Sequence, residues 1–148
     1  MSEALKAQLR ALALAEGFEA FGVTSPQAGL LAGRRLREFL ALGWHGDMAW
    51  LEQKAARRAD PARLWPEARS AVLLGMNYGP ASDPMQKLGM LGAANISCYA
   101  QGRDYHEVIK PKLKTLARWL HAGTGAAVKV FVDTAPVMEK PLAEAAGL

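Results

Sequence analysis

One cysteine in 148 residues leaves Cys98 without an internal partner. No disulfide can form within the chain, and no cysteine-based metal cluster can be built from it. That thiol usage suits a reducing compartment, so cytoplasm is the expected location. Long apolar runs are also scarce. The amino-terminal stretch "MSEALKAQLRALALAEGF" is interrupted by Glu3, Lys6, Arg10 and Glu16. It has neither the unbroken apolar centre of a secretion signal nor the length of a membrane span, and no membrane association is expected. GxGxxG, the phosphate loop, HExxH and an ordered Ser-His-Asp set are missing as well. Gly123-Thr124-Gly125 precedes an apolar run instead of opening a helix, which makes it a poor dinucleotide signal.

What is present describes an ordinary globular protein. Apolar residues make up 51% and charged residues 22%, enough apolar surface to offset the entropy of ordering the chain. The length predicts a single domain over residues 1–148. The net charge of +4 is compatible with an anionic partner such as nucleic acid, but a mildly basic soluble protein needs no such partner.

Leu5, Leu9, Leu12 and Ala13 recur at helical spacing over residues 2–16, with Gly17 as a stop. "FEAFGVTS" reads as a short strand. A second amphipathic helix is predicted from Pro26 to Leu42, ended by Gly43, and a further short one in "GWHGDMAWLEQKAARRADP", with Asp47 as its cap. "SAVLLGMNYG" has the continuous apolar character of a strand buried on both faces. "ISCYA" reads as another short strand. Asp104 and Glu107 form a capping box for a helix carrying Val108, Ile109, Leu113, Leu116 and Leu120 on one face. Pro111 conflicts with that helix and should kink it or move its start to Lys110. "AVKVFVD" is the clearest strand, followed by a helix. The order is that of an α/β, or α+β layered, structure with a mixed central sheet flanked by helices.

Three places carry possible chemistry. Asp133 lies where a strand hands over to a helix, either as an N-cap or as a carboxylate at a ligand-binding sheet edge. "YAQGRDYHEV" gathers Tyr99, Arg103, Asp104, Tyr105 and His106 around one glycine. These could hold an anionic or planar ligand, or simply cap a helix and fill a core. Lys110, Lys114 and Arg118 share a helix face that could meet phosphates or only solvent.

Taken together, "GWHGDMAWLEQKAARRADPARLWPEARSAVLLGMNYGP", "YAQGRDYH" and "VDTAPVMEKPLAEAAGL" resemble, in that order, the amino-terminal part of epoxyqueuosine reductase. The resemblance covers nearly the whole chain. It implies the corrinoid-binding lobe of an oxidoreductase that completes queuosine synthesis in tRNA, with cobalamin and two 4Fe-4S clusters, and is related to reductive dehalogenases. Asp133 matches the acidic residue of an Asp-Thr/Ser-Ala-Pro motif to which a proton-donor role is attributed. Tyr99, Arg103, Tyr105 and His106 match a segment expected to line the corrinoid or substrate pocket. Pro136, Glu139, Lys140, Ala146 and Gly147 match the closing motif, expected to help shape the cofactor wall, and Thr134 and Ala135 of the Asp-Thr/Ser-Ala-Pro motif are expected to bind the cofactor with them.

The family continues past Ala-Gly-Leu into Gly-x-x-Gly-Lys, then ferredoxin-type cysteine clusters. The resemblance therefore implies a truncated, monomeric fragment, inactive alone. Its iron–sulfur clusters, and its route to an external electron donor, would lie in the remaining carboxy-terminal part. Other readings stay open: a dehalogenase-type corrinoid reductase, a flavin-binding nitroreductase-like domain, and a non-enzymatic tRNA-binding module.

Overall fold

The computed structural model describes all 148 residues, the side chain of Lys87 excepted. The chain divides into two compact units, Met1–Gly75 with Asp133–Leu148, and Met76–Val132.

The first unit begins with α1, Glu3–Ala15, in which Ser2 accepts the backbone N–H of Leu5 at 3.3 Å. Leu9 and Ala13 fall one turn apart and are buried, which is the stripe the leucine spacing predicts. Gly17, at φ 89°, takes the left-handed conformation that ends the helix. The chain then enters β1, Ala20–Thr24. A 3-10 turn, Pro26–Gly29, precedes α2, Leu30–Ala41, so the predicted helix starts four residues late, after Ser25 has capped the turn. Gly43 closes α2 at φ 69°.

The aromatic stretch that follows forms two helices where one was expected, α3, Ala49–Gln53, and α4, Ala55–Ala59. Asp47 does not cap α3 with its side chain; its carbonyl accepts from Ala49 N–H at 2.9 Å. Helices α2 and α4 touch where Gly33 meets Ala59. A Cβ on Gly33 would lie 2.9 Å from the Cα of Ala59, so a side chain there would push the helices apart.

β2, Ala71–Gly75, pairs antiparallel with β1, from Ala20 opposite Gly75 to Thr24 opposite Ala71. Every β2 residue is half-buried, not enclosed on both faces as its apolar run suggested. Helix α6, Glu139–Ala145, lies against this sheet and the Pro26–Gly29 turn. Its Leu142 joins Leu9, Ala13, Phe18, Ala59 and Ala135 in the core.

The second unit is dominated by α5, Tyr105–Thr124. Asp104 caps it, and the helix runs through Pro111, so its start does not retreat to Lys110. A proline here removes one N–H donor but leaves the cap and the buried Leu116 in place. "ISCYA" is not a strand. Residues Cys98–Ala100 form a 3-10 turn, and Gln101 reaches back to the Ile96 carbonyl at 2.8 Å.

The expected strand over 127–133 is also not formed. Val128, Val130 and Val132 remain half-buried while Lys129 and Phe131 are exposed, so the two-residue alternation survives. Side-chain alternation alone does not make a strand; a hydrogen-bonded neighbour does, and no strand pairs with this run among the described residues. The mixed central sheet is thus corrected to one two-stranded antiparallel sheet with helices, an α+β arrangement.

Candidate functional site

Asp133 is not a helix cap. Helix α6 begins six residues later, with Met138 in the cap position and no side-chain cap bond. Asp133 instead has φ 53°, alone among described non-glycine residues in lying at positive φ. Aspartate enters this region more readily than most residues, but still at a cost in backbone energy. The turn that follows is tight, with Val137 N–H bonded to the Ala135 carbonyl at 2.9 Å. It buries Ala135, half-buries Pro136 and leaves Thr134 exposed. It also brings Glu139, the first residue of α6, back to Asp133.

The two carboxyl groups share a side-chain hydrogen bond, and Glu139 also accepts from the Asp133 backbone N–H. Burial pushes the Glu139 carboxyl above its ordinary 4.5, and the charge of Asp133 pushes it further. Two carboxylates in contact cannot both ionise cheaply, so Glu139 keeps its proton to higher pH than an ordinary glutamate does. Lys140, the next residue, is exposed.

A raised carboxyl pKa favours the folded state below the unfolded pKa, and the benefit is lost as pH rises through the folded value. Glu139→Gln removes this titration. The variant is expected to gain on the wild type in urea midpoint between about pH 5 and about pH 8. A constant difference at both pH values would contradict the shared proton.

In the second unit, Tyr99, Tyr105 and His106 form one cluster. Tyr105 stacks on His106 with ring centres 4.1 Å apart, and Tyr99 meets Tyr105 edge-on at 6.3 Å. Asp104 accepts from the backbone N–H of His106 at 2.9 Å, and its Oδ1 lies 2.8 Å from His106 Nδ1. Gly102, at φ 82°, turns the chain into this arrangement. Arg103 is exposed, outside the ring cluster. Lys110, Lys114 and Arg118 are likewise exposed on α5.

Two features escaped sequence reasoning. One is the Asp133–Glu139 pair; the signal was a six-residue acid spacing across a Thr-Ala-Pro turn. The other is a pair of buried polar atoms without a partner, His45 Nδ1 and Arg58 Nε. The Arg58 guanidinium lies over the Trp50 ring at 4.9 Å. Among the described residues no three His, Cys, Asp or Glu side chains gather as a metal site. Nor is any helix there long and apolar enough to cross a membrane.

One unit carries an α+β fold with a hydrogen-bonded acid pair, the other an ordered aromatic–histidine cluster. The family follows from comparison. The model described as Epoxyqueuosine reductase QueG, DUF1730 matches residues 58–134, and the chain belongs to this family. It is 40% identical over 144 residues to the epoxyqueuosine reductase of Gloeobacter violaceus, a match covering 96% of this chain and 43% of that protein. The Synechocystis protein of that name is 42% identical over 118 residues, or 79% of this chain and 39% of its own length. That of Xanthomonas campestris is 37% identical over 145 residues, or 96% of this chain and 41% of its own. The chain therefore spans about two fifths of the length of the curated relatives it matches. No solved structure matches it.

Proposed function

We propose that this chain is the corrinoid-binding lobe of an epoxyqueuosine reductase, with Asp133 as the proton donor. The observation that supports the chemistry is the hydrogen bond between Asp133 and Glu139; burial and the neighbouring Asp133 charge push the Glu139 carboxyl above its ordinary range. When bound, cobalamin supplies the reducing chemistry at the epoxide. The chain's own part is to receive the developing charge on the departing oxygen. Asp133 delivers a proton to that oxygen, and Glu139, hydrogen-bonded behind it, holds the proton until then.

The residues suit an amide-rimmed macrocycle. His45 Nδ1 and Arg58 Nε are hydrogen-bonding atoms that the fold leaves unused, and a ligand bearing many amides can satisfy them. The family motifs carried by Tyr99, Arg103, Tyr105 and His106, and by Thr134, Ala135, Pro136, Glu139 and Lys140, support these residues as cofactor contacts. An iron–sulfur cluster does not fit: Cys98 is the only thiol, and such clusters are held by four cysteines. Those clusters and the electron donor's docking site are assigned to the additional length present in the relatives. The exposed Lys110, Lys114 and Arg118 on α5 would meet the phosphates of the tRNA substrate.

The test is a titration of the purified chain with cob(II)alamin followed by EPR. A base-off signal growing in proportion to protein is the expected result. A free-cofactor spectrum, both with this chain and with the same segment joined to a relative's remaining length, would overturn the reading.

A further inference from the structure

Asp104 does two things with one oxygen. Its Oδ1 accepts the backbone N–H of His106 at 2.9 Å, which caps α5, and also lies 2.8 Å from Nδ1 of the same residue. The backbone bond first, and the ring bond second, hold the Asp104 carboxyl below its ordinary 3.8. An ionised carboxylate has no proton to donate. At this distance the proton of a neutral His106 must therefore sit on Nδ1, which leaves Nε2 with its lone pair. A histidine in water prefers the opposite tautomer, with the proton on Nε2. The stack of Tyr105 on the ring, 4.1 Å between centres and 28° between planes, fixes the orientation of that lone pair.

We propose that Asp104 is a positioning residue that locks His106 in its Nδ1–H tautomer. Nε2 is then a hydrogen-bond acceptor for an N–H or O–H group of a ligand seated on the Tyr99–His106 cluster. Helix capping alone would need only the backbone bond; the ring bond is additional. The ligand half of this inference rests on the corrinoid reading, because amide N–H groups are the donors such a ligand brings. The tautomer half stands without it.

Asp104→Ser separates capping from locking. Serine caps helices about as well as aspartate, but its hydroxyl is too short to hold the imidazole. Long-range proton–nitrogen NMR of the 148-residue chain at about pH 8, above the ordinary imidazole pKa, reads the tautomer directly. His106→Gln identifies the signal among those of His45 and His121. In the wild type, His106 is expected to show a protonated Nδ1 and an unprotonated Nε2. In Asp104→Ser most of the population should switch, with helical circular dichroism retained. A wild-type ring protonated on Nε2 would overturn the lock, whatever the variant does. So would an unchanged pattern in the variant.

The ligand half is read separately, as cob(II)alamin affinity. Asp104→Ser is expected to weaken it about tenfold, the worth of one hydrogen bond. Equal affinity in wild type and variant would overturn that half. A wild type that binds no corrinoid would instead count against the proposed function and leave the tautomer result intact.

Discussion

Asp133→Asn is expected to lower epoxyqueuosine reduction by about 10²- to 10⁴-fold, the usual contribution of a positioned acid. Cobalamin affinity should stay within a few-fold of the wild type. The assay needs the segment joined to the rest of a relative's length, since the chain covers 43% of the Gloeobacter protein. Asparagine is the right replacement for two reasons. It tolerates the left-handed backbone at φ 53°, where alanine would add strain, and it retains hydrogen bonding toward Glu139. What it lacks is a transferable proton.

The companion variant Glu139→Gln shows whether Asp133 acts alone. If the proton belongs to the pair, the double variant should lose little more than Asp133→Asn does, because both changes remove one device. Activity of Asp133→Asn within threefold of wild type, with cofactor bound, would end the case for Asp133 as donor.

The structure bears out the parts of the fold whose signals are local. The α1 leucine stripe, Gly17 and Gly43 as stops, the Asp104 cap and the short β1 strand each depend on a few neighbouring residues, and each is present. The parts that failed depend on partners far along the chain. The apolar run at 127–133 carries valines at strand spacing, but a ladder requires a second strand, and no local pattern reveals that. The start of α5 did not move to Lys110 for the converse reason: the Asp104 cap and the buried Leu116 outweigh the one N–H that Pro111 lacks.

At the site, the proton-donor role expected of Asp133 came from family resemblance, and its alternative reading as a cap is overturned by Met138 at the cap position of α6. Its partnership with Glu139 required knowing that Thr134, Ala135 and Pro136 form a turn rather than the start of a helix. Asp104 was read as a cap, correctly but incompletely, because the 2.8 Å approach to Nδ1 depends on a side-chain rotamer.

Leu9→Ala should cost the first unit about 2–5 kcal/mol, the range for truncating a buried leucine. Leu9 is only 2% exposed and is the largest fully buried side chain among the described residues. The other buried residues of the first unit include three alanines, Ala13, Ala59 and Ala135, which have no side-chain length with which to fill a cavity. Against a typical total stability of about 5–15 kcal/mol, a loss of this size is a large share. Leu14 on the same helix supplies the control. It is 51% exposed, so Leu14→Ala should stay within about 0.5 kcal/mol of wild type.

Urea unfolding of both variants measures the difference, and a gap below about 1 kcal/mol would mean that α1 is not anchored through Leu9. The consequence reaches the acid pair. Helix α1 lies on β1, α6 lies on β1 and β2, and Glu139 opens α6. Loosening α1 therefore loosens the support beneath Glu139, and with it the burial that holds its proton. Leu9→Ala should then shrink the pH-dependent advantage of Glu139→Gln, whereas Leu14→Ala should leave it unchanged.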